Sequence, residues 1–309
     1  MAQMSNIAVE EHFRLPTKET MQNLTLTRDI GRLSFAQRLF YERNGFLVIP
    51  RTIPKEILDK CSKRFDEYAS GKVPKGYTTV MRDIVDRSSV NKIQDILHDD
   101  AFREYFENQH LLDLVEAFTG PNIVAVHSML IAKPPDVGSG SSRHPPHQDL
   151  YYFPFRPANK IVAAWTAIEK CDKENGCLHV FPGSHRSYGL MNHAYPKDTV
   201  NKMYHGIQDL PDNINWVDVE VEPGDTIFFH PLLIHGSWKN VSTRTRKAIS
   251  CHYAAAECYY IDVNGTIQES IKDEILSVAK RRFPGADDIT FAEIWNMRSS
   301  LVRGMRSSL

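Results

Sequence analysis

The sequence predicts a mainly β protein with helices ahead of its sheets, the sheets folded into a sandwich or jelly roll. Three observations lead there. Segments of helical period with recognisable ends occupy the first third. From Asn122 onward the texture changes to short apolar segments, several of them alternating, set apart by Pro- and Gly-bearing turns. No linker and no internal repeat interrupts the chain, so the two textures belong to one unit of residues 1–309: a helical part to about 121, a β core over about 122–260, and a helical segment over about 267–309.

Taken in order, Ser34 can cap a helix through FAQRLFYER, and Asn44-Gly45 can stop it before the apolar strand FLVIP. A second helix starts near Pro54, because Ile57, Leu58, Cys61, Phe65 and Tyr68 recur at helical spacing. LLDLVEAFTGP is a third, closed by Gly120 and Pro121. The segments NIVAVHSMLIA, KIVAAWTAIE, NWVDVEVEPGDTIFFH and RKAISCHYA supply strands, with turns at KPPDVGSG, KENGC, FPGS and EPGD. Residues 188–215 lack a clear period and are longer than a simple connection, which predicts a lid or an access loop.

Composition narrows the function classes. With 42% apolar and 24% charged residues the chain is an ordinary soluble globular protein, and a net charge of −1 offers no global field for a nucleic-acid backbone. Five cysteines without a CxxC predict reduced thiols in an intracellular compartment, not a disulfide framework. The opening residues are acidic where a signal peptide needs a basic region, and no stretch approaches the length of a membrane span. The chain ends in Ser-Ser-Leu, one residue from the receptor-read address Ser-Lys-Leu, so a peroxisomal import receptor is the expected partner of this tail.

The chemistry lies in SRHPPHQDLYYFPFRP. Pro145 and Pro146 hold the chain extended, and alternate side chains of an extended chain share a face, so His147 and Asp149 can grip one object. Two histidines of PGDTIFFHPLLIHGS, His230 and His235, compete to complete a metal set; His235 is favoured because it precedes the Gly236-Ser237 turn and because a basic cluster lies shortly beyond it. Two imidazoles and one carboxylate bind one face of an octahedral Fe(II) and leave adjacent positions open, whereas structural zinc is closed by four ligands, typically with cysteine. A cation on the next strand could hold the remote carboxylate of 2-oxoglutarate. STRTRK offers Arg244, Arg246 and Lys247, and the planar fork of Arg246, eleven residues past His235, suits a carboxylate best.

SRHPPHQDLYYFPFRP, WTAIEKCDKENGCLHVFPGSH and FFHPLLIHGS followed by RKAISCH together resemble the phytanoyl-CoA dioxygenase family, over most of the chain from NGFLVIP onward. The resemblance implies a double-stranded β-helix (cupin-like jelly roll), iron held by His147, Asp149 and His235, and 2-oxoglutarate held by Arg246. It further implies co-substrate contacts from Lys92, Met129, Trp165 and Ser237, and places Gln148 close to substrate. O2 would be the second co-substrate, with ascorbate to keep iron reduced. The implied reaction hydroxylates carbon 2 of a 3-methyl-branched acyl-CoA such as phytanoyl-CoA, a step of fatty-acid alpha-oxidation in the peroxisome; without an import signal the chain would stay cytoplasmic. Arg143, Lys197, Lys202 and Lys280-Arg281-Arg282 are cations available to a CoA phosphate. His127, His144, His179, His193, His205 and His252 receive no role, and His185 reads as a turn residue. Alternatives are a hydroxylase of another small lipid or metabolite, a metal-binding scaffold without catalysis, and a zinc hydrolase, which would have no use for Arg246.

Overall fold

The computed structural model describes all residues except 1–23, 137, 139, 197–203, 284 and 286. Lys197 and Lys202 therefore lie outside the described residues.

Helices α1 (Phe35–Asn44), α2 (Lys55–Ala69), α3 (Asp100–Phe106) and α4 (Gln109–Thr119) come first, a short α5 (Ser184–Ser187) lies mid-chain, and α6 (Glu269–Arg282) and α7 (Phe291–Met297) come last. Their ends follow local chemistry. Ser34 and Gln37 cap α1 reciprocally, and Gly45, at φ 79°, donates its N–H to the Tyr41 carbonyl in a left-handed stop. Helix α2 buries Ile57, Leu58, Cys61, Phe65 and Tyr68, the stripe its spacing predicts.

The strands of the two main sheets are β1 (Phe46–Ile49), β2 (Thr79–Arg82), β3 (Val90–Gln94), β4 (Ile123–Lys133), β5 (His144–His147), β6 (Ile161–Ala167), β7 (Leu178–Val180), β8 (Val217–Val219), β9 (Thr226–Phe229), β10 (His235–Ser237), β11 (Arg246–Ala255) and β12 (Ser300–Arg303). Most of them form a larger sheet in the order β1-β9-β6-β11-β4-β3-β2, with β12 alongside the start of β4. The smaller sheet runs β8-β7-β10-β5. The chain passes from one sheet to the other between β8 and β9, through the Glu222–Asp225 turn where Gly224 sits at φ 90°. One face of the larger sheet packs Leu130, Phe228, Ile249 and Tyr253 against the N-terminal helices. Its other face sets Ala163, Trp165 and Phe229 against Leu178, Val180 and Leu233 of the smaller-sheet side. Two facing antiparallel sheets with a space between them are the jelly roll the sequence predicts.

Two expectations need correction. The N-terminal part is not helical throughout, because β2 and β3 extend the larger sheet. The C-terminal segment is helical only to Met297; the chain then adds β12 and docks its end. The backbone N–H groups of Ser308 and Leu309 both donate to the Ala256 carbonyl (2.9 and 3.1 Å), and the Leu309 side chain, 3% exposed, packs with Val124, Phe291 and Trp295. Burying a leucine is worth about 1.5–3 kcal/mol, enough to hold a polar tail that would otherwise fray. Of the tripeptide read as an address, Leu309 is therefore packed into the core while Ser307 and Ser308 stay exposed.

Candidate metal and co-substrate site

Register brings the first two ligands together. On the smaller sheet β5 lies beside β10, and His147 stands opposite His235 with ring centres 4.3 Å apart. Asp149 follows one extended residue later, at the start of a 3₁₀ turn, so alternation carries it onto the same face. His147 Nε2 lies 3.3 Å from Asp149 Oδ1, and His235 Nε2 lies 3.8 Å from Asp149 Oδ2. One ligand atom from each of the three buried residues falls within 4.8 Å of the others.

The hydrogen bonds settle which ring nitrogens are free. His147 Nδ1 meets the Pro145 carbonyl at 2.9 Å, and His235 Nδ1 meets the Leu233 carbonyl at 3.0 Å. A carbonyl only accepts, so both Nδ1 atoms carry the hydrogen and both Nε2 lone pairs face Asp149. Two lone pairs aimed at one carboxylate repel unless a cation lies among them, which is the donor set and polarity a divalent metal requires. Burial pushes the His235 pKa down, with the His147 charge adding to it, to about 4, keeping the imidazole neutral as a ligand must be. Burial pushes the Asp149 carboxyl up, but the surrounding histidines, His252 foremost, outweigh it and hold the group well below the usual range. His230 stays outside the cluster: its ring lies 5.4 Å from that of His185, and its Nδ1 accepts from the Leu232 N–H.

A cavity of about 240 Å³ opens from this cluster between the sheets. Lys92, Met129, Trp165, Ser237 and Arg246 all line it. The Arg246 guanidinium lies 5.3 Å from the centre of the Trp165 ring and donates to the Gly176 carbonyl (3.0 Å), while its buried Nε has no partner among the described residues. Arg244 instead points outward to Asp172 at 2.7 Å. Lys92 comes from β3, the strand the sequence reading missed, and burial pushes its pKa down to about 8.

Gln148 is a correction. Its amide donates to the Gly189 and Leu232 carbonyls (both 3.0 Å) and accepts from the Met191 N–H (2.8 Å), so the side chain ties two loops together instead of facing the cavity. The alternation that aligns His147 with Asp149 turns the residue between them the other way.

Sequence reasoning also missed residues the structure brings in. His252, on β11, reaches Asp149 Oδ2 through Nε2 at 2.8 Å; the carboxylate accepts, so His252 donates from Nε2 and fixes the oxygen opposite the one beside His147. Helix α6 walls the cavity with Ile271, Glu274, Ile275 and Val278, and α7 adds Trp295. In the 188–215 segment, Tyr204 and His205 line the cavity, and the Tyr195 hydroxyl donates to Glu274 Oε1 at 2.6 Å, so described parts of this loop border the site as expected. Of the cations offered to a phosphate, Arg143 lies over the Trp238 ring and Arg282 binds the Tyr77 and Thr78 carbonyls. His185, read as a turn residue, lies in the short helix α5, buried and bonded to the Glu42 carbonyl.

Known proteins resemble this chain in sequence and in fold. The sequence profile described as Phytanoyl-CoA dioxygenase (PhyH) matches residues 41–248. The chain belongs to the phytanoyl-CoA dioxygenase family. It is 46% identical over 298 residues to the human protein named phytanoyl-CoA dioxygenase, peroxisomal, covering 93% of this chain and 88% of that one. A probable phytanoyl-CoA dioxygenase of Caenorhabditis elegans is 46% identical over 305 residues, covering 92% and 97%. Among solved structures, EctD from S. alaskensis with 2-oxoglutarate and 5-hydroxyectoine superposes with a TM-score of 0.60 at 18% identity, covering 76% of this chain and 80% of that one. The epimerase SnoN in complex with Fe3+, alpha ketoglutarate and nogalamycin RO gives 0.59 at 18%, covering 80% and 88%. At such identities the structures establish the shared fold, and the family carries the rest.

Proposed function

We propose that this family member is an Fe(II)- and 2-oxoglutarate-dependent hydroxylase that places a hydroxyl on carbon 2 of a 3-methyl-branched acyl-CoA such as phytanoyl-CoA. One observation carries the reading: two imidazole lone pairs and a carboxylate converge at one end of a cavity that also holds a buried Arg246 with no carboxylate partner among the described residues. His147, Asp149 and His235 would hold the iron, which supplies oxidative chemistry with O2 and 2-oxoglutarate. Arg246, with Ser237 and Trp165 beside it, would bind the remote carboxylate of 2-oxoglutarate, and Lys92 and Met129 border the same space. Ile271, Ile275 and Trp295 would seat the hydrocarbon chain and exclude water from the metal end. Ascorbate would serve only to keep the metal reduced.

The test is succinate formation from 2-oxoglutarate under Fe(II), with and without phytanoyl-CoA. Strong stimulation by phytanoyl-CoA is expected, together with one hydroxylated acyl product. Turnover indifferent to 2-oxoglutarate would refute the reading and favour a hydrolase.

Peroxisomal residence is part of this proposal, since the human and bovine relatives carry that location in their names. The candidate address is the terminal Ser307-Ser308-Leu309, which a receptor could read only while the tail is undocked from Ala256. Deleting it from the enzyme would confound targeting with stability. The segment from Gly304 onward is therefore best moved to the C-terminus of a fluorescent carrier; a punctate peroxisomal signal is expected, and a diffuse one would reject the address.

A further inference from the structure

Lys133 and Arg246 are direct partners across β4 and β11, and both line the cavity. Both are buried, and among the described residues neither meets a carboxylate within ion-pair distance. Like charges directly opposite on paired strands destabilise a sheet, and buried charges without counter-ions destabilise it further. A fold that retains such a pair at the edge of a cavity is prepared for an anion.

The hydrogen bonds give Lys133 a more specific part. Its ammonium donates to Ser237 Oγ at 2.6 Å and to the Trp238 carbonyl at 2.5 Å, crossing from the larger sheet to the smaller. An ammonium has only hydrogens to give, so Ser237 must be the acceptor in that contact and its own hydroxyl hydrogen is left to point elsewhere. Ser237 lines the cavity. Gly176 makes the crowding possible: its carbonyl accepts from Arg246, and a Cβ at this residue would press on the Trp238 carbonyl and the Lys133 side chain. Burial pushes the Lys133 pKa well below the ordinary lysine value, Arg246 adding to the effect, and an anion between the two cations would reverse that.

We propose that Lys133 is a positioning residue for the remote carboxylate of 2-oxoglutarate: it compels Ser237 to donate into the cavity and supplies, beside Arg246, a second positive charge that selects a dicarboxylate. This rests on the function proposed above. The competing role is a plain tie between β4 and the Trp238 carbonyl, with no bearing on ligand charge.

Calorimetric titration of the iron(II)-loaded protein without oxygen separates the two. The ligands are 2-oxoglutarate and 2-oxopentanoate, which keeps the keto acid but lacks the remote carboxylate. The parent protein should prefer the dicarboxylate. Lys133→Met should cut that preference about tenfold or more, the range for a lost charge-assisted hydrogen bond, while binding 2-oxopentanoate about as well as before. Ser237→Ala should weaken 2-oxoglutarate in the parent and add little in the Lys133→Met background, because the serine's orientation is already lost. Should the methionine variant not fold, Lys133→Gln, which keeps a donor to Ser237 but no charge, is titrated in its place; the dicarboxylate preference should still fall, while Ser237→Ala should weaken 2-oxoglutarate in that background as it does in the parent. A dicarboxylate preference that survives the loss of charge would overturn the role of Lys133 alone. No such preference in the parent protein would overturn the reading of the whole site.

Discussion

On one wall of the cavity the polar side chains hang from paired strands, His147 opposite His235 and Lys133 opposite Arg246; another wall is helix α6, which presents Ile271, Ile275 and Val278 from a single face. Strand register fixes which side chains of the first set can meet, because slipping by one residue would turn every side chain to the opposite face. The helix is held at its end by Arg282, which donates to the Tyr77 and Thr78 carbonyls. Along it the lining residues grade from Ile271, 3% exposed, to Val278, 43% exposed. The strand wall suits reaction chemistry, which needs exact donors; the helix wall suits a chain, which needs apolar area. Substitutions on the two walls should therefore change different quantities.

The largest effects belong to the metal ligands. His147→Ala, Asp149→Ala and His235→Ala should each abolish turnover and bound iron, measured as metal content, while circular dichroism stays that of the parent, because the packing between sheets and helices holds the fold. His230→Ala should keep its iron. Loss of iron on replacing His230 but not His235 would reverse the assignment of the distal ligand.

Next comes Arg246→Ala, which should raise the 2-oxoglutarate requirement steeply. Leaving a buried carboxylate unpaired costs roughly 2–5 kcal/mol by analogy with interfacial charge pairs. Arg244→Ala removes only an exposed contact to Asp172 and should leave that requirement nearly unchanged. Equal effects would mean that the cavity does not discriminate between the two arginines.

A smaller effect tests His252, which touches no ligand but Asp149. Replacing it with leucine frees the second carboxylate oxygen, and outer partners of metal ligands typically change affinity by about 10–100-fold. His252→Gln retains a donor at similar reach and should recover most of that loss. Cobalt(II) affinity and the visible spectrum of the cobalt form read this without turnover; equal weakening in both variants would reduce His252 to packing.

How much of this was legible depends on whether a residue's partner is set by local pattern. His147 and Asp149 were, since alternation needs only the extended chain around Pro145 and Pro146. His235 and Arg246 were, because each lies on a strand bounded by recognisable turns. The same alternation should have excluded Gln148, whose place between two ligands in sequence is the reason it faces away from them. His252 and Lys133 were not legible. Lys133 acquires its role only by standing opposite Arg246, and His252 only by meeting Asp149 from the facing sheet; contacts between distant segments leave no mark on either segment alone. β3, with Lys92, was hidden for a related reason: VNKIQ carries polar residues that are buried in the structure, so its pattern does not alternate. The docking of Leu309 was not legible because a polar terminus with one apolar residue carries no period at all.

The mildest prediction concerns helix α6. Ile271, Ile275 and Val278 are spaced by four and three residues, so they share a face and line the cavity in sequence. Ile275 is half-buried beside the aromatic core around Trp295, so shortening it to alanine removes contact area from the bound chain without disturbing the sheets. Losses of this size in an apolar pocket run about 1–3 kcal/mol. Ile275→Ala belongs near the lower figure because the residue is not fully enclosed, which corresponds to roughly a fivefold weaker hold on acyl-CoA. Val278→Ala should do less, its side chain already being partly in solvent. In both variants the affinity for 2-oxoglutarate should be that of the parent, and a short acyl-CoA that does not reach α6 should show no change. Steady-state KM for long and short acyl-CoA, set beside calorimetric binding of 2-oxoglutarate, checks this directly. If Ile275→Ala moved 2-oxoglutarate binding as far as it moved acyl-CoA, helix and strands would be acting as one element, and the division of labour between the two walls of the cavity would have to be abandoned.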